Sequence, residues 1–266
     1  MDDFDDVLRR AQTGDGRAAA LMFRTYQPVV ELTGGGVAGF EALLRWDHPT
    51  LGSVGPEEFV SVAEATGLIV PIGDWVIQQA LEQLARWRRE PGVRDDLWIA
   101  VNLSTQQLGR AGLVDHVAAT LRASGQPAEL LHLEVTESVL MDRVEHAMGT
   151  LAELRGLGAR VSIDDFGTGY SSLSYLNRLS IDTLKVDRSF IQDLGTDGHD
   201  PSIVRAITAL AGSLGLSVVA EGIEHREQVP IVTDLGCDFG QGYVWSRPVG
   251  PDEALAWMLA HDGRCR

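Results

Sequence analysis

The sequence predicts an α/β fold, a modified (β/α)8 TIM-like barrel in which one strand near the amino terminus runs antiparallel to the others. Strand and helix patterns alternate along nearly all of the 266 residues, which indicates a mostly parallel sheet. Eight strand candidates are present, the number that closes such a barrel. The first two are joined by the glycine-rich segment 31–36, which is typical of a hairpin. A doubly wound open sheet is the second choice.

The strand candidates are short apolar or alternating runs, and the helix candidates repeat apolar residues at the helical period. The strands are predicted at residues 23–30, 37–45, 97–103, 130–136, 160–166, 182–187, 216–221 and 237–243. The helices are predicted at residues 73–90, 112–124, 143–158, 202–215, 226–236 and 251–260. Gly158, Gly215 and Gly236 stand at the ends of helical runs, where a left-handed cap favours glycine.

Composition narrows the class of protein. Hydrophobic residues make up 44% of the chain and the formal net charge is −16, so nonspecific binding to a nucleic acid polymer or an anionic membrane is disfavoured. The amino terminus lacks the features of a signal peptide, and no apolar run approaches the ~20 residues of a membrane span. We therefore expect a cytoplasmic protein with Cys237 and Cys265 as reduced thiols. Residues 1–22 are predicted to form a linker or helix, and residues 23–262 a single domain.

Polar side chains stand near the carboxyl ends of most predicted strands, which converge on one face of a barrel. Gathered carboxylates need compensation, and oxygen ligands favour Mg²⁺ or Mn²⁺ over zinc. Two cations about 3.5–4 Å apart need a bridging carboxylate, which the adjacent Asp164 and Asp165 can supply, with Gly167 and Gly169 letting the chain turn. The strand-end residues are Glu41, Asn102, Glu134, Asp164, Asp165, Lys185, Glu221 and Gln241.

Eight short motifs occur in order along the chain. They are YQPVV (26–30), EALLRW (41–46), VNLS (101–104), LEVTES (133–138), DDFGTGYSSL (164–173), LKVDRSF (184–190), AEGIE (220–224) and GQGYVWSRP (240–248). This ordered set resembles the EAL-domain family, the bacterial phosphodiesterases that hydrolyse the second messenger cyclic di-GMP. The resemblance covers about Tyr26 to Pro248 and implies a modified barrel that opens cyclic di-GMP to linear pGpG.

The resemblance also implies a role for each matching residue. The implied ligands of two Mg²⁺ or Mn²⁺ ions, with Ca²⁺ inhibitory, are Glu41, Asn102, Glu134, Asp164 and Asp165. The residues implied in catalysis are Lys185, which contacts the attacking water, Glu221, Gln241, and Glu137, which anchors the loop Gly167, Thr168 and Gly169. The residues implied in substrate binding are Gln27, Leu44, Arg45, Asp187 and Pro248.

Two other functions stay open at this point. One is a receptor that binds cyclic di-GMP without cleaving it, and the other is a protein-interaction module with the same fold. None of the ligand positions implied by the resemblance is changed, which favours the enzyme. The resemblance further implies a homodimer, and it leaves room for an upstream sensor domain or a partner protein.

Overall fold

The structure is a computed structural model that describes residues 22–48, 51–137, 144–169, 176, 178–195 and 200–261. The predicted amino-terminal segment, apart from Met22, and the predicted end of the domain at residue 262 lie outside these ranges. The boundaries 1–22 and 23–262 therefore stay predictions. None of the described helices is both long and apolar enough to cross a membrane.

The described residues form one sheet of nine strands. Eight of them close a barrel in the order β1-β9-β8-β7-β6-β5-β4-β2, and β1 returns to pair with β2. β1 is antiparallel to both of its neighbours, whereas the other barrel strands pair in parallel. The predicted barrel with one reversed strand is confirmed. The strands are β1 (Met22–Glu31), β2 (Val37–His48), β3 (Gly52–Val54), β4 (Trp98–Asn102), β5 (Leu131–Thr136), β6 (Arg160–Phe166), β7 (Thr183–Val186), β8 (Ser217–Ala220) and β9 (Phe239–Gln241).

A hairpin accounts for the reversed strand. Its turn is closed by the N–H of Gly35, which donates to the carbonyl of Glu31 over 2.8 Å, and by the N–H of Glu31, which donates to the carbonyl of Gly36 over 2.9 Å. The antiparallel pairing then runs the full length of β1, from Met22 opposite Trp46 onward. Two paired strands can be joined by so short a turn only when they are antiparallel. Segment 31–36 therefore determines the direction of β1 relative to β2.

Eight α-helices lie within the described ranges. The structure confirms the six predicted helices and adds α1 and α3, which the sequence reading missed, as it missed β3. Gly158, Gly215 and Gly236 have positive φ, as predicted. The helices are α1 (Pro56–Thr66), α2 (Ile69–Trp87), α3 (Thr105–Leu108), α4 (Leu113–Ser124), α5 (Val144–Gly156), α6 (Ser202–Leu214), α7 (Gln228–Asp234) and α8 (Pro251–His261).

Aromatic packing closes the barrel where β1 and β2 meet the helices. The Trp87 ring lies 4.8 Å from that of Tyr26 and 5.0 Å from that of Phe40, centroid to centroid, and all three side chains are buried. The indole N–H of Trp87 donates to the carbonyl of Pro251, which ties α2 to the start of α8. Each such side chain contributes about 1.5–3 kcal/mol through burial. This packing holds the first and last segments of the barrel together.

Candidate active site

A cavity of about 220 Å³ opens at the end of the barrel where the parallel strands finish. It brings together residues of β1, β2, β6, β7 and β9 and of the segments that follow β7, β8 and β9. Eight of the residues predicted from the sequence line it: Gln27, Glu41, Asp164, Asp165, Lys185, Asp187, Glu221 and Gln241. This is the face on which barrel enzymes place their chemistry.

Lys185 stands at the centre of the polar cluster, with its side chain only 2% exposed. Its Nζ lies 2.7 Å from carboxylate oxygens of Glu134 and of Glu221, 3.0 Å from Asp164 and 3.7 Å from Glu41. Burial alone would lower the pKa of this ammonium group, but the four carboxylates outweigh burial and raise the pKa well above its usual value. Lys185 is therefore charged at neutral pH and attracts all four acids.

One ammonium group does not neutralise this many acids. Burial raises the pKa of Glu134, with Glu41 and Asp164 adding to the effect against the opposing Lys185. Burial, then the charge of Asp164, raises the pKa of Glu221 to about 8. These shifts mean that ionising the carboxylates costs free energy in this poorly solvated place. A bound cation would remove this cost.

Asp164 and Asp165 line the same cavity although they are neighbours in β6. Asp165 has a φ of 53°, a left-handed conformation that is uncommon for residues other than glycine. The pairing of β6 with β7 also shifts register between Ile163 and Phe166. The irregularity interrupts the alternation that would otherwise send the two carboxylates to opposite faces. The strand does not end at this pair but continues to Phe166, and it is the irregularity within β6 that keeps both acids at one site.

The carboxylates form two overlapping groups that suit metal ions. Glu41, Glu134 and Asp164 each offer an oxygen within 4.8 Å of the others, and so do Asp164, Asp165 and Glu221. Asp164 belongs to both groups, which is the arrangement that a bridging ligand between two cations requires. All donors are oxygen atoms, the ligands of hard divalent cations. The residues present therefore fit a divalent metal centre.

Amide side chains hold Glu41 from both sides. Asn102 Nδ2 donates to one Glu41 oxygen over 2.8 Å, and Gln241 Nε2 donates to the other over 2.7 Å. Gln241 Nε2 also donates to Gln27 over 3.2 Å, and Gln27 in turn donates to the carbonyl of Ser246. The Oε1 atom of Gln241 is buried and has no hydrogen-bond partner among the described residues. A buried acceptor without a partner calls for a donor such as water beside Glu41.

Glu137 anchors the loop that follows the aspartate pair. Its carboxylate accepts hydrogen bonds from the backbone N–H groups of Gly167 over 2.9 Å and Gly169 over 3.4 Å. A side chain at position 169 would place its Cβ 2.5 Å from this carboxylate, so only glycine leaves room for the contact. Thr168 closes the turn by donating its hydroxyl to the carbonyl of Asp165 over 2.9 Å. These bonds connect β5 to the backbone that positions Asp165.

The residues predicted to bind substrate divide into two groups. Gln27 and Asp187 line the cavity. Arg45 lies on the face of β2 that carries Glu41. Burial lowers the pKa of Arg45, and the nearby carboxylate of Glu41 opposes this shift. Leu44 and Pro248 do not line the cavity. Leu44 packs against the hydrophobic core on the opposite face of β2.

The cavity also contains residues that the sequence reading missed. Leu43 lines it in place of Leu44, and Arg188 and Tyr243 line its mouth. Tyr243 is 47% exposed, and the Arg247 guanidinium lies 4.2 Å from the centroid of its ring. The period of two along β2 from Glu41 would have identified Leu43. Arg188 and Tyr243 gave no such signal, because they follow the ends of their strands.

Comparison with known proteins identifies the family to which this chain belongs. A family model described as EAL domain matches residues 9–248. The chain belongs to the EAL domain family. This EAL domain is 48% identical over 232 residues to a bifunctional diguanylate cyclase/cyclic di-GMP phosphodiesterase, MucR, of Pseudomonas aeruginosa. It is 47% identical over 234 residues to the cyclic di-GMP phosphodiesterase NbdA of the same species.

The two curated relatives are much longer than this chain, whereas the two solved structures match it over nearly their whole length. The matches span 87% and 88% of this chain but only 33% of MucR and 30% of NbdA, so the chain spans about a third of the length of these curated relatives. A solved structure of the PaMucR phosphodiesterase in complex with c-di-GMP superposes with a TM-score of 0.85 at 42% identity, over 94% of this chain and 99% of that one. The EAL domain of Mycobacterium smegmatis DcpA superposes with a TM-score of 0.75 at 35% identity, over 90% and 96%.

Proposed function

We propose that this EAL domain hydrolyses cyclic di-GMP to linear pGpG, with two divalent cations, Mg²⁺ or Mn²⁺, as cofactors. The observation that carries the proposal is that two sets of three carboxylate residues, with Asp164 in both, surround the buried ammonium group of Lys185. The names of MucR and NbdA, which include cyclic di-GMP phosphodiesterase, support the same substrate.

The first group, Glu41, Glu134 and Asp164, would hold one cation, and the second, Asp164, Asp165 and Glu221, would hold the other. Bound divalent cations supply Lewis-acid chemistry, which offsets the charge of the phosphodiester and makes water a better nucleophile. Ca²⁺ would inhibit because it takes longer bonds and more ligands than Mg²⁺.

The side chains of the domain position the reactants. Lys185 Nζ lies among the carboxylates that would bind metal, where it can donate a hydrogen bond to the attacking water. Water adds to phosphorus, the bond from phosphorus to the 3′ oxygen breaks, and this oxygen takes a proton to become a hydroxyl group. Gln241 and Asn102 keep Glu41 in place through its two oxygens. Glu137 holds the backbone after Asp165 and thereby the second group of ligands.

Substrate recognition is assigned to the walls of the cavity and its mouth. Arg45 offers a guanidinium group to a phosphate oxygen on an otherwise acidic protein. Gln27 and Asp187 would bind polar groups of the dinucleotide, Leu44 keeps its assigned contact with it, and Leu43 adds an apolar contact from the cavity wall. Pro248 keeps its assigned contact with the dinucleotide as part of this proposal. A homodimer, an upstream sensor domain or partner protein, and a cytoplasmic location likewise belong to it.

The test is hydrolysis of cyclic di-GMP followed by chromatography of the nucleotides, with Mg²⁺, Mn²⁺, Ca²⁺ or a chelator. We expect pGpG with the first two ions only, and a rate lower by more than about 100-fold, or about 2.7 kcal/mol, in Glu41→Gln. Glu153→Gln, an exposed position on α5, is the matched control and should keep the wild-type rate. Tight binding of cyclic di-GMP without turnover in any metal would instead identify a receptor.

A further inference from the structure

A second cavity, of about 620 Å³, lies at the end of the barrel opposite the candidate active site. It is lined by the first residues of four neighbouring strands, Arg160 of β6, Thr183 of β7, Ser217 of β8 and Phe239 of β9. In barrels of this type the amino-terminal face serves stability, and chemistry belongs to the other face. A cavity of this size is within the range of about 300–1,000 Å³ that small-molecule sites occupy.

Two guanidinium groups meet in this cavity on a single carboxylate. Asp182 accepts from Arg155 Nε over 3.1 Å, from Arg155 Nη2 over 2.9 Å and from Arg160 Nη1 over 2.9 Å. The backbone N–H of Val161 also donates to Asp182 over 2.9 Å. Both oxygens of the carboxylate are thus used, and the three charged groups leave one net positive charge on a protein of net charge −16.

Hydrogen-bond donors remain free on the same walls. An arginine has five N–H donors, and Asp182 takes only part of those of Arg155 and Arg160. Thr183 and Ser217 line the cavity with hydroxyl groups that make no hydrogen bond to other described residues. The charged edges and the hydroxyl groups together provide what an oxyanion needs, because hydrogen bonds from a guanidinium to an anion are the strongest that side chains make.

The lining also includes apolar side chains, which lie beside the polar groups and the imidazole of His132. Leu179, Leu214, Leu216 and Phe239 line the cavity beside the polar groups. A single inorganic ion would use the donors and leave this apolar wall in contact with water. We propose that the cavity binds a small organic anion, a molecule with one carboxylate or phosphate group held by Arg155 and Arg160 and an apolar body held by the leucines. The site is independent of the chemistry proposed for the other end of the barrel.

Calorimetric titration of the whole chain, with chelator present and cyclic di-GMP absent, tests the proposal. The probes are hexanoate and phenyl phosphate, which carry the two head groups, with hexanamide as the neutral match of hexanoate. We expect at least one anion to bind and hexanamide not to bind. Arg160→Met should weaken binding about tenfold, the effect of losing one charged hydrogen bond of about 1.5 kcal/mol. Ser217→Ala should weaken it about threefold.

Control variants locate the site. Arg122→Met removes an exposed guanidinium from α4 and should leave the affinity unchanged. Arg45→Gln alters the other end of the barrel and should also leave it unchanged. Three results would each overturn the proposal. The first is that neither anion binds at 20-fold molar excess over millimolar protein, and the second is that hexanamide binds as tightly as hexanoate. The third is that Arg45→Gln lowers the affinity while Arg160→Met and Ser217→Ala do not.

Discussion

Replacing Lys185 by methionine would keep most of the length of the side chain and remove its charge. The substitution deprives four carboxylates of an ammonium group that lies 2.7–3.7 Å from their oxygens. At an effective dielectric constant of about 20, one contact near 3 Å is worth about 5–6 kcal/mol before desolvation is counted. Desolvation of the ammonium group offsets much of this attraction, and breaking a buried ion pair costs about 3–5 kcal/mol net. We expect Lys185→Met to lose this amount of unfolding free energy in the presence of a chelator.

Divalent cations should reverse part of this loss, because Lys185 and a cation compete for the same acids. If the variant binds Mg²⁺ tenfold more tightly than the wild type, saturating Mg²⁺ stabilises it by about 1.4 kcal/mol more. The assay is urea unfolding followed by circular dichroism, with chelator and with Mg²⁺. Arg122→Met serves as the control and should shift in neither condition. A loss below about 1 kcal/mol with chelator, or equal stabilisation of both proteins by Mg²⁺, would refute the reasoning.

Three further predictions concern residues outside the carboxylate cluster. Gly242→Ala should lower the unfolding free energy by more than about 3 kcal/mol in urea, since its Cβ would lie 2.0 Å from the backbone oxygen of Ile223; a wild-type midpoint would contradict this. Burial raises the pKa of Cys237 to about 12, so in a Cys265→Ser background a thiol reagent should react at pH 8 only after urea is added. Burial disfavours the charged form of Asp182, but the backbone N–H and the arginines that bind it hold its pKa below the usual value. The stabilisation that Asp182 provides is therefore complete above the unfolded pKa of about 3.9 and is lost as pH falls below it. The loss of unfolding free energy in Asp182→Asn, measured in urea titrations, should therefore shrink on acidification. A loss that stays constant with pH would count against the ion pairs.

Much of the fold could be predicted because strands buried between a core and a layer of helices have a strong pattern. Lys185 illustrates this: Leu184 and Val186 are fully buried on either side of it, so alternation alone sends the lysine into the barrel. The missed elements have weak patterns. α1 buries only Phe59 and Ala63, although Pro56 and the cap at Gly67 mark its ends. α3 is a single turn of four residues, and β3 has three.

The candidate site was predictable where a residue lies within a regular strand and less so where the backbone departs from one. Glu41, Glu134 and Lys185 belong to regular strands, and the structure brings them together as the strand ends suggested. The placement of Asp165 depends on its left-handed backbone and on the turn after it, which the distant carboxylate of Glu137 binds at Gly167 and Gly169. No local pattern encodes such a long-range contact. Leu43 and Leu44 show how alternation separates neighbours, since Leu43 lines the cavity while Leu44 packs on the other face of β2.

Lys185 is also the single lysine of the chain, since the other 21 of its 22 lysines and arginines are arginines. The sole ε-amine of the protein is thus buried at 2% exposure among carboxylates. Reagents that acylate amines should leave it intact in the folded state, and cross-linkers directed at lysine would find no surface target. Conversely, a protein grown on ¹⁵N-labelled lysine would give one ammonium resonance, free of overlap, whose position reports each cation or nucleotide that enters the barrel.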